Sequence, residues 1–326
     1  MYTRYTTTLL ITLLLIAGIF FAIKQQKSNL PIVAIANYGP HSSLDASIKG
    51  MKEELAKQGF IEGRNIAYEI SDVGFDANLI PQMIAKLTSQ QPKVMVVMTT
   101  PIAQYAKGSI HNIPLIYNVI TDPVEAGLLH EHKTPEQNIT GSSDQQNLGS
   151  VLAFVKKLLP HAKRAGLLYS TAESNDATLV RMMKAATIAQ GFELVTIPVE
   201  QSRDVAMRMQ QFNEKVDFIY VGTSGPIQPT LPVISAEATK IGIPIINVDA
   251  GAVKDGLVLA SFGVDYVKVG NNAGKLVAEV LRGVPVSKLT PIYPKDSDHH
   301  GFISMKKAHE IGISIPAELK SGIIGE

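Results

Sequence analysis

Residues 32–59 read IVAIANYGPHSSLDASIKGMKEELAKQG, in which a short apolar run precedes a longer segment with helical periodicity. The run Ile32–Ala36 is rich in branched apolar residues and predicts a buried strand. The segment Ser43–Gln58 predicts a helix with one apolar face, and Gly59 ends it. That face consists of four regularly spaced side chains: Leu44, Ile48, Met51 and Leu55. The stretch therefore predicts one strand–helix unit of an α/β fold.

The same alternation of apolar runs and helical segments continues along the chain in two series of similar length. The first series predicts strands at Ile32–Ala36, Asn65–Ile70, Val94–Met98 and Leu115–Val119. The second series predicts strands at Ala165–Tyr169, Leu194–Val199, Phe218–Val221 and Pro244–Val248. Each series predicts an open parallel sheet covered by helices, so the expected fold class is α/β with two Rossmann-like lobes.

The two series also define the predicted domain boundaries. Residues 30–145, together with about 257–283, form lobe I in this prediction, and residues 146–256, together with about 284–326, form lobe II. We expect the chain segments after Asp249 to cross between the lobes more than once.

An uncharged segment precedes the first strand. Residues 6–23 carry no charge and are long enough to span a bilayer as a helix, and Arg4 supplies the basic start of an export signal. We interpret residues 1–29 as a signal or anchor helix with its linker. The small residues Ala17 and Ala22 lack the spacing that signal peptidase prefers, which favours an uncleaved anchor over a cleaved signal. We therefore expect this N-terminal hydrophobic helix to hold the protein at a membrane.

The composition argues against several classes of function. The chain has 326 residues, a formal net charge of +1 and no cysteine. The absence of cysteine excludes disulfides, thiolate zinc sites, a cysteine nucleophile and a lipid-modified cysteine after the leader. Such a small net charge offers no basic face for DNA or RNA, so we expect no nucleic-acid partner.

Common sequence motifs of catalysis and cofactor binding are also missing. The chain has no G-x-x-x-x-G-K-[ST] loop, no G-x-G-x-x-G after the first strand, no G-x-S-x-G elbow and no H-E-x-x-H motif. We interpret the pair His299 and His300, near Asp296 and Asp298, as part of a solvated loop because adjacent histidines point apart. The sequence therefore predicts a protein that is not an enzyme and that holds no cofactor and no metal.

Polar residues follow most predicted strands, at the sheet edge where open α/β proteins bind ligands. At Thr99-Thr100-Pro101 a helix begins, with Thr100 as the expected cap. Free amide groups at this helix start favour a carboxylate or a phosphate, and an ordinary cap is the alternative. Asp122 is interpreted either as an acceptor for an ammonium group or as a residue that holds its own turn.

The remaining candidates also lie just after predicted strands. Tyr38 and His41 follow the first strand and either pack on a ligand or cover the core. Asp249 is interpreted either as a ligand contact or as a helix cap. Ser224 follows a strand of the second series and is added to the candidate ligand contacts.

Several short segments occur in an order that resembles one bacterial family. They are His41–Asp45 with Lys49–Gly50, Gln58–Asn65, Thr100–Gln104, Thr121–Leu128, Asn138–Gly141 and Ala308–Pro316. From about Ile32 to the C-terminus, the chain resembles the ABC-transporter substrate-binding family that includes tryptophan- and tyrosine-binding members. The resemblance implies a type I periplasmic-binding fold that lies outside the cytoplasm, with the ligand between two hinged lobes.

The resemblance also implies which side chains line the cleft between the lobes. Carried over by position, the first lobe would contribute Thr99, Thr100 and Asp122, with Tyr38 and His41 at the entrance strand. The second lobe would contribute Asn175, Thr223 and Asp249.

The function expected from this resemblance is the capture of a small ligand by closure of the two lobes. The ligand would be an amino acid or a related small carboxylate, and the chain would be the solute-binding component of an ABC importer. Its partners would be an ABC permease and its ATPase, at the periplasmic or extracytoplasmic face of the bacterial inner membrane. The alternatives are a membrane-tethered ligand sensor of the same fold and an enzyme that acts in the cleft.

Overall fold

The computed structural model describes residues 30–322, which form two open β-sheets. The first sheet contains β1 (Ile32–Asn37), β2 (Ala67–Asp72), β3 (Val94–Met98), β4 (Leu115–Ile120) and β5 (Ile139–Ser143). The second sheet contains β6 (Arg164–Ser170), β7 (Glu193–Val199), β8 (Phe218–Val221), β9 (Ile245–Asn247), β10 (Ala260–Val264) and β11 (His299–Ile303). The sheets share no strand, so the described residues form two lobes, as predicted.

Helices cover both sheets. In chain order they begin with α1 (Ser42–Lys57), α2 (Ile80–Ser89), α3 (Thr100–Ser109), α4 (Leu148–Leu158) and α5 (Ser174–Gln190). They continue with α6 (Val205–Met209), α7 (Leu231–Lys240), α8 (Ala250–Lys254), α9 (Tyr266–Leu281) and α10 (Met305–Glu310).

The two sheets have equivalent strand orders. Lobe I has the order β2-β1-β3-β4-β5, and all its strands are parallel. Lobe II has the order β7-β6-β8-β9-β10, with β11 added antiparallel to β10 at the edge. In each lobe the order reverses between the first and third strands, and such a reversal opens a crevice at the strand ends.

Helix α9 belongs to lobe I because it packs closely on α1. A methyl group on Gly50 would lie 2.1 Å from the carbonyl oxygen of Val267, and one on Gly270 would lie 1.9 Å from that of Ser47. A side chain at either position would force the two helices apart. These glycines therefore permit a contact that joins a late segment of the chain to the first lobe.

Three short segments carry the chain between the lobes. The first, residues 144–147, links β5 to α4, and the second is the single residue Asp265 between β10 and α9. The third, residues 293–298, returns the chain from lobe I to β11. Hydrogen bonds tie the three together: Asp265 N–H donates to Asp298 O at 2.9 Å, and the Asn147 side chain donates to Asp296 Oδ1 at 2.9 Å. These segments form the hinge.

The positions of the hinge segments differ from the lobe boundaries predicted for residues 257–326. Strand β10 pairs with β9, with Ala260 opposite Ile246, so only the α9 part of the predicted segment 257–283 lies in lobe I. The predicted lobe II segment after residue 284 is divided as well, because Val286 and Leu289 pack in the lobe I core. Strand pairing decides the first assignment, and packing in the lobe I core decides the second.

Strand β5 and helix α4 are among the elements that were not predicted. Strand β5 contains Thr140, Gly141, Ser142 and Ser143, which read as a polar stretch, yet all five of its residues are buried. The hydroxyl groups are compatible with burial because Thr140 Oγ1 donates to Leu289 O at 2.7 Å and Ser143 Oγ donates to Ile120 O at 2.6 Å.

The predicted polar loop at His299 and His300 is instead the start of β11. The two ring nitrogens of His299 face Asn147 N–H and Lys295 O. Within residues 30–322, no group of three or more histidine or acidic side chains is arranged to hold a metal ion.

The predicted hydrophobic helix at residues 6–23 lies outside the described residues. Among the helices of residues 30–322, none combines the length and the apolar character needed to cross a membrane.

Candidate functional site

A cavity lies between the lobes where both strand orders reverse. Loops after β1 and β3 of lobe I face loops after β6 and β8 of lobe II around this cavity. Seven of the nine predicted contact residues line this cavity: Tyr38, His41, Thr99, Thr100, Asn175, Thr223 and Ser224. The topology therefore brings most of the predicted residues together, and their contact with a ligand remains a prediction.

The other two predicted residues, Asp122 and Asp249, do not line this cavity. Asp122 Oδ1 accepts hydrogen bonds from the backbone N–H groups of Val124 and Glu125 at 2.9 and 3.1 Å. Asp249 caps α8 through Gly251 N–H at 3.0 Å and accepts from the Ser42 hydroxyl. For both residues, the structure favours the turn or cap interpretation over the ligand contact.

Helix α3 begins at the lobe I wall of the cavity. Thr99, and not Thr100, is its cap residue, and Pro101 lies in the first turn. Among the described residues, no side chain caps this helix start, and the Thr99 hydroxyl is buried without a partner. The amide groups of the first turn and the positive end of the helix dipole therefore face a cavity, an arrangement that attracts a carboxylate.

Three residues with unfavourable backbone conformations line the cavity. Phe75, Thr99 and Val119 have φ angles of 65°, 71° and 59°, a region that non-glycine residues rarely adopt. Thr99 combines its φ with a ψ of 157°, a region that is nearly restricted to glycine. Backbone strain of this kind clusters at functional sites, so its position supports the cavity as the site.

We expect the substitution Thr99→Gly to stabilise the protein without ligand by roughly 1 kcal/mol and to weaken ligand binding. Glycine relieves strain of about 1–3 kcal/mol, and its greater freedom in the unfolded chain offsets part of that gain. The unpartnered hydroxyl, which we expect to contact the ligand, is lost. Chemical unfolding measures the first effect, and calorimetric titration measures the second.

The matched control for this prediction is Gln91→Gly. Gln91 also has a positive φ, 50°, but it is exposed and lies outside the cavity. The Gln91→Gly variant should be more stable than the parent protein and should bind the ligand with unchanged affinity. A Thr99→Gly variant that unfolds more easily than the parent protein would contradict the assignment of strain to Thr99.

Lobe II presents three buried acceptor oxygens to the cavity, from Glu173, Asn175 and Gln228, which are only 8–9% exposed. Asn175 Nδ2 donates to Thr223 O at 3.1 Å, and Gln228 Nε2 donates to Gly222 O at 2.7 Å. These bonds fix the orientation of both amides.

The remaining oxygens of these three side chains are Glu173 Oε1, Asn175 Oδ1 and Gln228 Oε1. None of them has a hydrogen-bond partner among the described residues. Buried acceptors need donors, so this wall is complementary to a ligand that donates several hydrogen bonds.

The electrostatic character of the cavity is acidic. Within the described residues it is lined by two carboxyl groups, Asp144 and Glu173, and by no lysine or arginine. Burial raises the pKa of Asp144 to about 7 and also raises the pKa of Glu173. Burial similarly raises the pKa of Asp176, which accepts the Ser224 hydroxyl, to about 7. A cationic group in the cavity would stabilise the ionised carboxylates.

Tyr38 and His41 reach the cavity with different roles. Burial and the nearby Glu173 carboxylate raise the pKa of the Tyr38 hydroxyl, and the Tyr38 ring meets Phe75 edge-on with the ring centroids 5.7 Å apart. His41 caps α1, since its Nδ1 accepts from Ser43 N–H at 3.3 Å, and burial lowers the pKa of its imidazole. His41 is therefore neutral at pH 7 and adds no positive charge to the site.

Sequence reasoning did not identify Asp144, Glu173 or Gln228. Asp144 follows β5, which was not predicted, so no strand end drew attention to it. Glu173 lies just after the predicted strand Ala165–Tyr169, and an acidic residue beyond a strand end was a usable signal. Gln228 lies in a short turn after β8, and its sequence context gives no comparable signal.

The two lobes contact each other around the cavity. The hydroxyl groups of Thr121 and Thr223 lie 3.2 Å apart, and the Ser174 hydroxyl donates to Gln104 Oε1 at 3.2 Å. At the rim, Arg181 of lobe II pairs with Glu125 of lobe I at 2.8 Å. The cleft is therefore closed, as required of a site that encloses its ligand.

Two hinged lobes around a buried polar cavity define a class of protein that encloses a small molecule by domain closure. The sequence profile of the family described as ABC transporter substrate binding protein matches residues 32–322. The chain belongs to this family, whose members are substrate-binding proteins.

Similar proteins support the same fold and class. A tyrosine-binding protein of Clostridioides difficile is 33% identical over 266 residues, which cover 82% of this chain and 76% of that protein. A Streptococcus pneumonia ABC domain in complex with L-Trp is 27% identical with a TM-score of 0.85, covering 91% of this chain and all of that one. The type I periplasmic-binding fold expected from the sequence is thus confirmed.

A third similar structure differs in the arrangement of its lobes. It is the ligand-free, open form of a substrate-binding protein with adhesive properties from Clostridium difficile, also 27% identical, covering 90% of this chain and 99% of that one. Its TM-score is only 0.69, against 0.85 for the L-Trp complex. Because identity and coverage are nearly equal, this difference supports a closed arrangement of the lobes in the present chain.

Proposed function

We propose that this chain captures a zwitterionic α-amino acid between its lobes and presents it to an ABC importer. The observation that carries the proposal is the opposition of two complementary walls. Lobe I offers the free N-terminus of α3, and lobe II offers three unpartnered acceptor oxygens. An α-amino acid carries a carboxylate and an ammonium group one carbon apart, which is the charge pattern these walls match.

The carboxylate is assigned to lobe I. The first-turn amide of Thr100 and the Thr99 hydroxyl supply donors, and the helix dipole adds favourable electrostatic energy of roughly 0.3–1 kcal/mol or more when buried. Because no lysine or arginine among the described residues lines the cavity, this helix start is the main positive feature of its surface.

The ammonium group is assigned to lobe II. An ammonium group has three N–H donors, and Glu173, Asn175 and Gln228 supply three acceptors, one of them a carboxylate. Charge-assisted hydrogen bonds of this kind are stronger than neutral ones. They offset the free-energy cost of moving the ammonium charge from water into a closed cavity.

Binding by both walls makes closure of the cleft depend on the ligand. A zwitterion held by lobe I at one end and by lobe II at the other interacts fully only when the cleft is shut. Its higher affinity for the closed arrangement then shifts the hinge equilibrium. The ligands of the two similar proteins, tyrosine and L-Trp, are both amino acids and support this assignment.

The family and the sequence support the cellular setting that we propose. The receiving partners are an ABC permease and its ATPase, and the site of action is the extracytoplasmic face of the bacterial inner membrane. Residues 6–23, which lie outside the described part of the chain, would anchor the protein there. The chain itself acts as a binding protein and not as an enzyme.

The proposal is tested with three compounds that share one ring: L-tyrosine, tyramine and 3-(4-hydroxyphenyl)propionate. Tyramine lacks the carboxylate, and the propionate lacks the ammonium group. Calorimetric titration of the full chain in mild detergent should show binding of tyrosine and at least about 100-fold weaker binding of the other two, since each loses a charged contact of about 3 kcal/mol.

Either of two results would refute recognition of a zwitterion. One is equal binding of tyrosine and tyramine, which would leave the α3 terminus without a role. The other is equal binding of tyrosine and the propionate, which would leave the lobe II acceptors without one.

A further inference from the structure

Asp144 is a second carboxyl group in the cavity wall, and the contacts assigned to the α-amino acid backbone leave it unused. It is 1% exposed and follows β5 at the hinge. Its Oδ2 accepts from the Tyr266 hydroxyl over a long 3.4 Å, and its Oδ1 has no partner among the described residues. A buried acceptor in this condition needs a donor from elsewhere.

Asp144 and Glu173 belong to different elements of the cavity wall. Glu173 Oε2 accepts from Gly225 N–H at 3.1 Å within lobe II, whereas Asp144 directly follows β5 and accepts from the Tyr266 hydroxyl on α9. One ammonium group held by the lobe II acceptors therefore does not also satisfy Asp144.

The cavity wall also contains an apolar surface. Leu44, Val119 and Val248 line the same space, and each is at least nine-tenths buried. An apolar part of a ligand gains energy by covering this surface, at roughly 25 cal/mol per Å². In a cavity with such a surface, the unpartnered Asp144 Oδ1 can accept one hydrogen bond from an N–H or O–H group of the ligand.

We propose that Asp144 is a specificity-determining residue, which accepts a hydrogen bond from an N–H or O–H group on the side chain of the bound amino acid. The inference rests on the proposed function and deepens it. The selected ligands have an extended apolar side chain that carries one neutral donor, such as a phenol or an indole. Side chains of the same shape without a donor leave Asp144 unpaired and are rejected.

The alternative partner for Asp144 is a cationic side chain. It would place a second full charge against Leu44, Val119 and Val248, and removing that charge from water carries a large desolvation cost. The apolar surroundings therefore favour a neutral donor, and a basic amino acid serves as the opposing case in the test.

The test measures dissociation constants of L-tryptophan, L-tyrosine, L-phenylalanine and L-lysine for the full chain and for the variants Asp144→Leu and Asp144→Asn. For the parent protein we expect tyrosine or tryptophan to bind about 10- to 100-fold more tightly than phenylalanine, and lysine to bind most weakly. Asp144→Leu should abolish the preference over phenylalanine. Asp144→Asn, which keeps an acceptor oxygen and the shape of the side chain, should retain part of it.

The control is Glu173→Gln, which should weaken the binding of all four amino acids by a similar factor. The ratios of their dissociation constants should therefore stay the same. If phenylalanine binds the parent protein as tightly as tyrosine and tryptophan, or if Asp144→Leu leaves the ratios unchanged, the role of Asp144 is refuted while the proposed function stands. Tightest binding of lysine would refute the neutral donor. Binding of none of the four would overturn the proposed function and this inference together.

Discussion

Glu173→Gln is expected to weaken amino-acid binding by about 30- to 150-fold without destabilising the protein. The substitution keeps the shape of the side chain and removes the charge that pairs with the ammonium group, a change of about 2–3 kcal/mol. In the folded protein the Glu173 carboxyl also accepts from Gly225 N–H at 3.1 Å, a bond that a glutamine oxygen preserves. Calorimetric titration gives the affinity, and thermal unfolding without ligand gives the stability.

The separation of these two effects is the informative part of the experiment. Burial raises the pKa of Glu173, which means that the folded protein disfavours its ionised form, and a neutral glutamine should leave the unfolding temperature unchanged or higher. The matched control is Glu193→Gln, at the exposed start of β7, which should change neither quantity. If Glu173→Gln loses affinity only in proportion to lost stability, Glu173 acts on the fold and not on the ligand.

Asp144→Asn is expected to stabilise the protein without ligand at pH 8 by about 2–4 kcal/mol, with little effect at pH 4. Burial raises the pKa of Asp144 from 3.8 to about 7. A raised pKa means that this group's contribution to stability is full below pH 4 and is lost as the pH rises through 7. Asparagine resembles the protonated form at every pH. Urea unfolding at the two pH values measures the difference.

The control for this prediction is Asp255→Asn, at an exposed position beyond the end of α8. It should not reproduce the gain at pH 8. Part of the pH dependence should survive in Asp144→Asn, because burial also raises the pKa of Asp176 to about 7. Equal stabilisation by Asp144→Asn at pH 4 and pH 8 would show that desolvation of the charge is not the cause.

Most of the fold was predictable from local pattern. The strands Val94–Met98 and Phe218–Val221 were predicted with their observed bounds, since each is an uninterrupted apolar run that two layers of helices bury. The family was predictable too, because short segments in a fixed order survive where overall identity is low. Strand β5 was missed because its residues are small and carry hydroxyl groups. The hydroxyl groups of Thr140 and Ser143 can be buried only because distant segments of the chain accept their hydrogen bonds.

The candidate site was predictable as a set of strand ends but not as a set of roles. Thr99 and Thr100 were located by the helix start that follows β3. Asp122 and Asp249 had two interpretations each, and only the positions of the neighbouring N–H groups show that both hold turns or caps. The acidic character of Glu173 was a usable signal of its place near the site, but only the structure shows that its Oε1 lacks a partner.

The sequence by itself determined the α/β class, the two series of strands, the start of α3 and the family. These properties depend on spacing and on the order of residues along the chain, which the sequence states directly. Only the tertiary structure decided that β10 belongs to lobe II while α9 belongs to lobe I, and that Glu173, Asn175 and Gln228 line the same cavity as the start of α3. The physical reason is that pairing, burial and unsatisfied hydrogen bonds are properties of neighbours in space, which the chain assembles from segments that lie far apart in sequence.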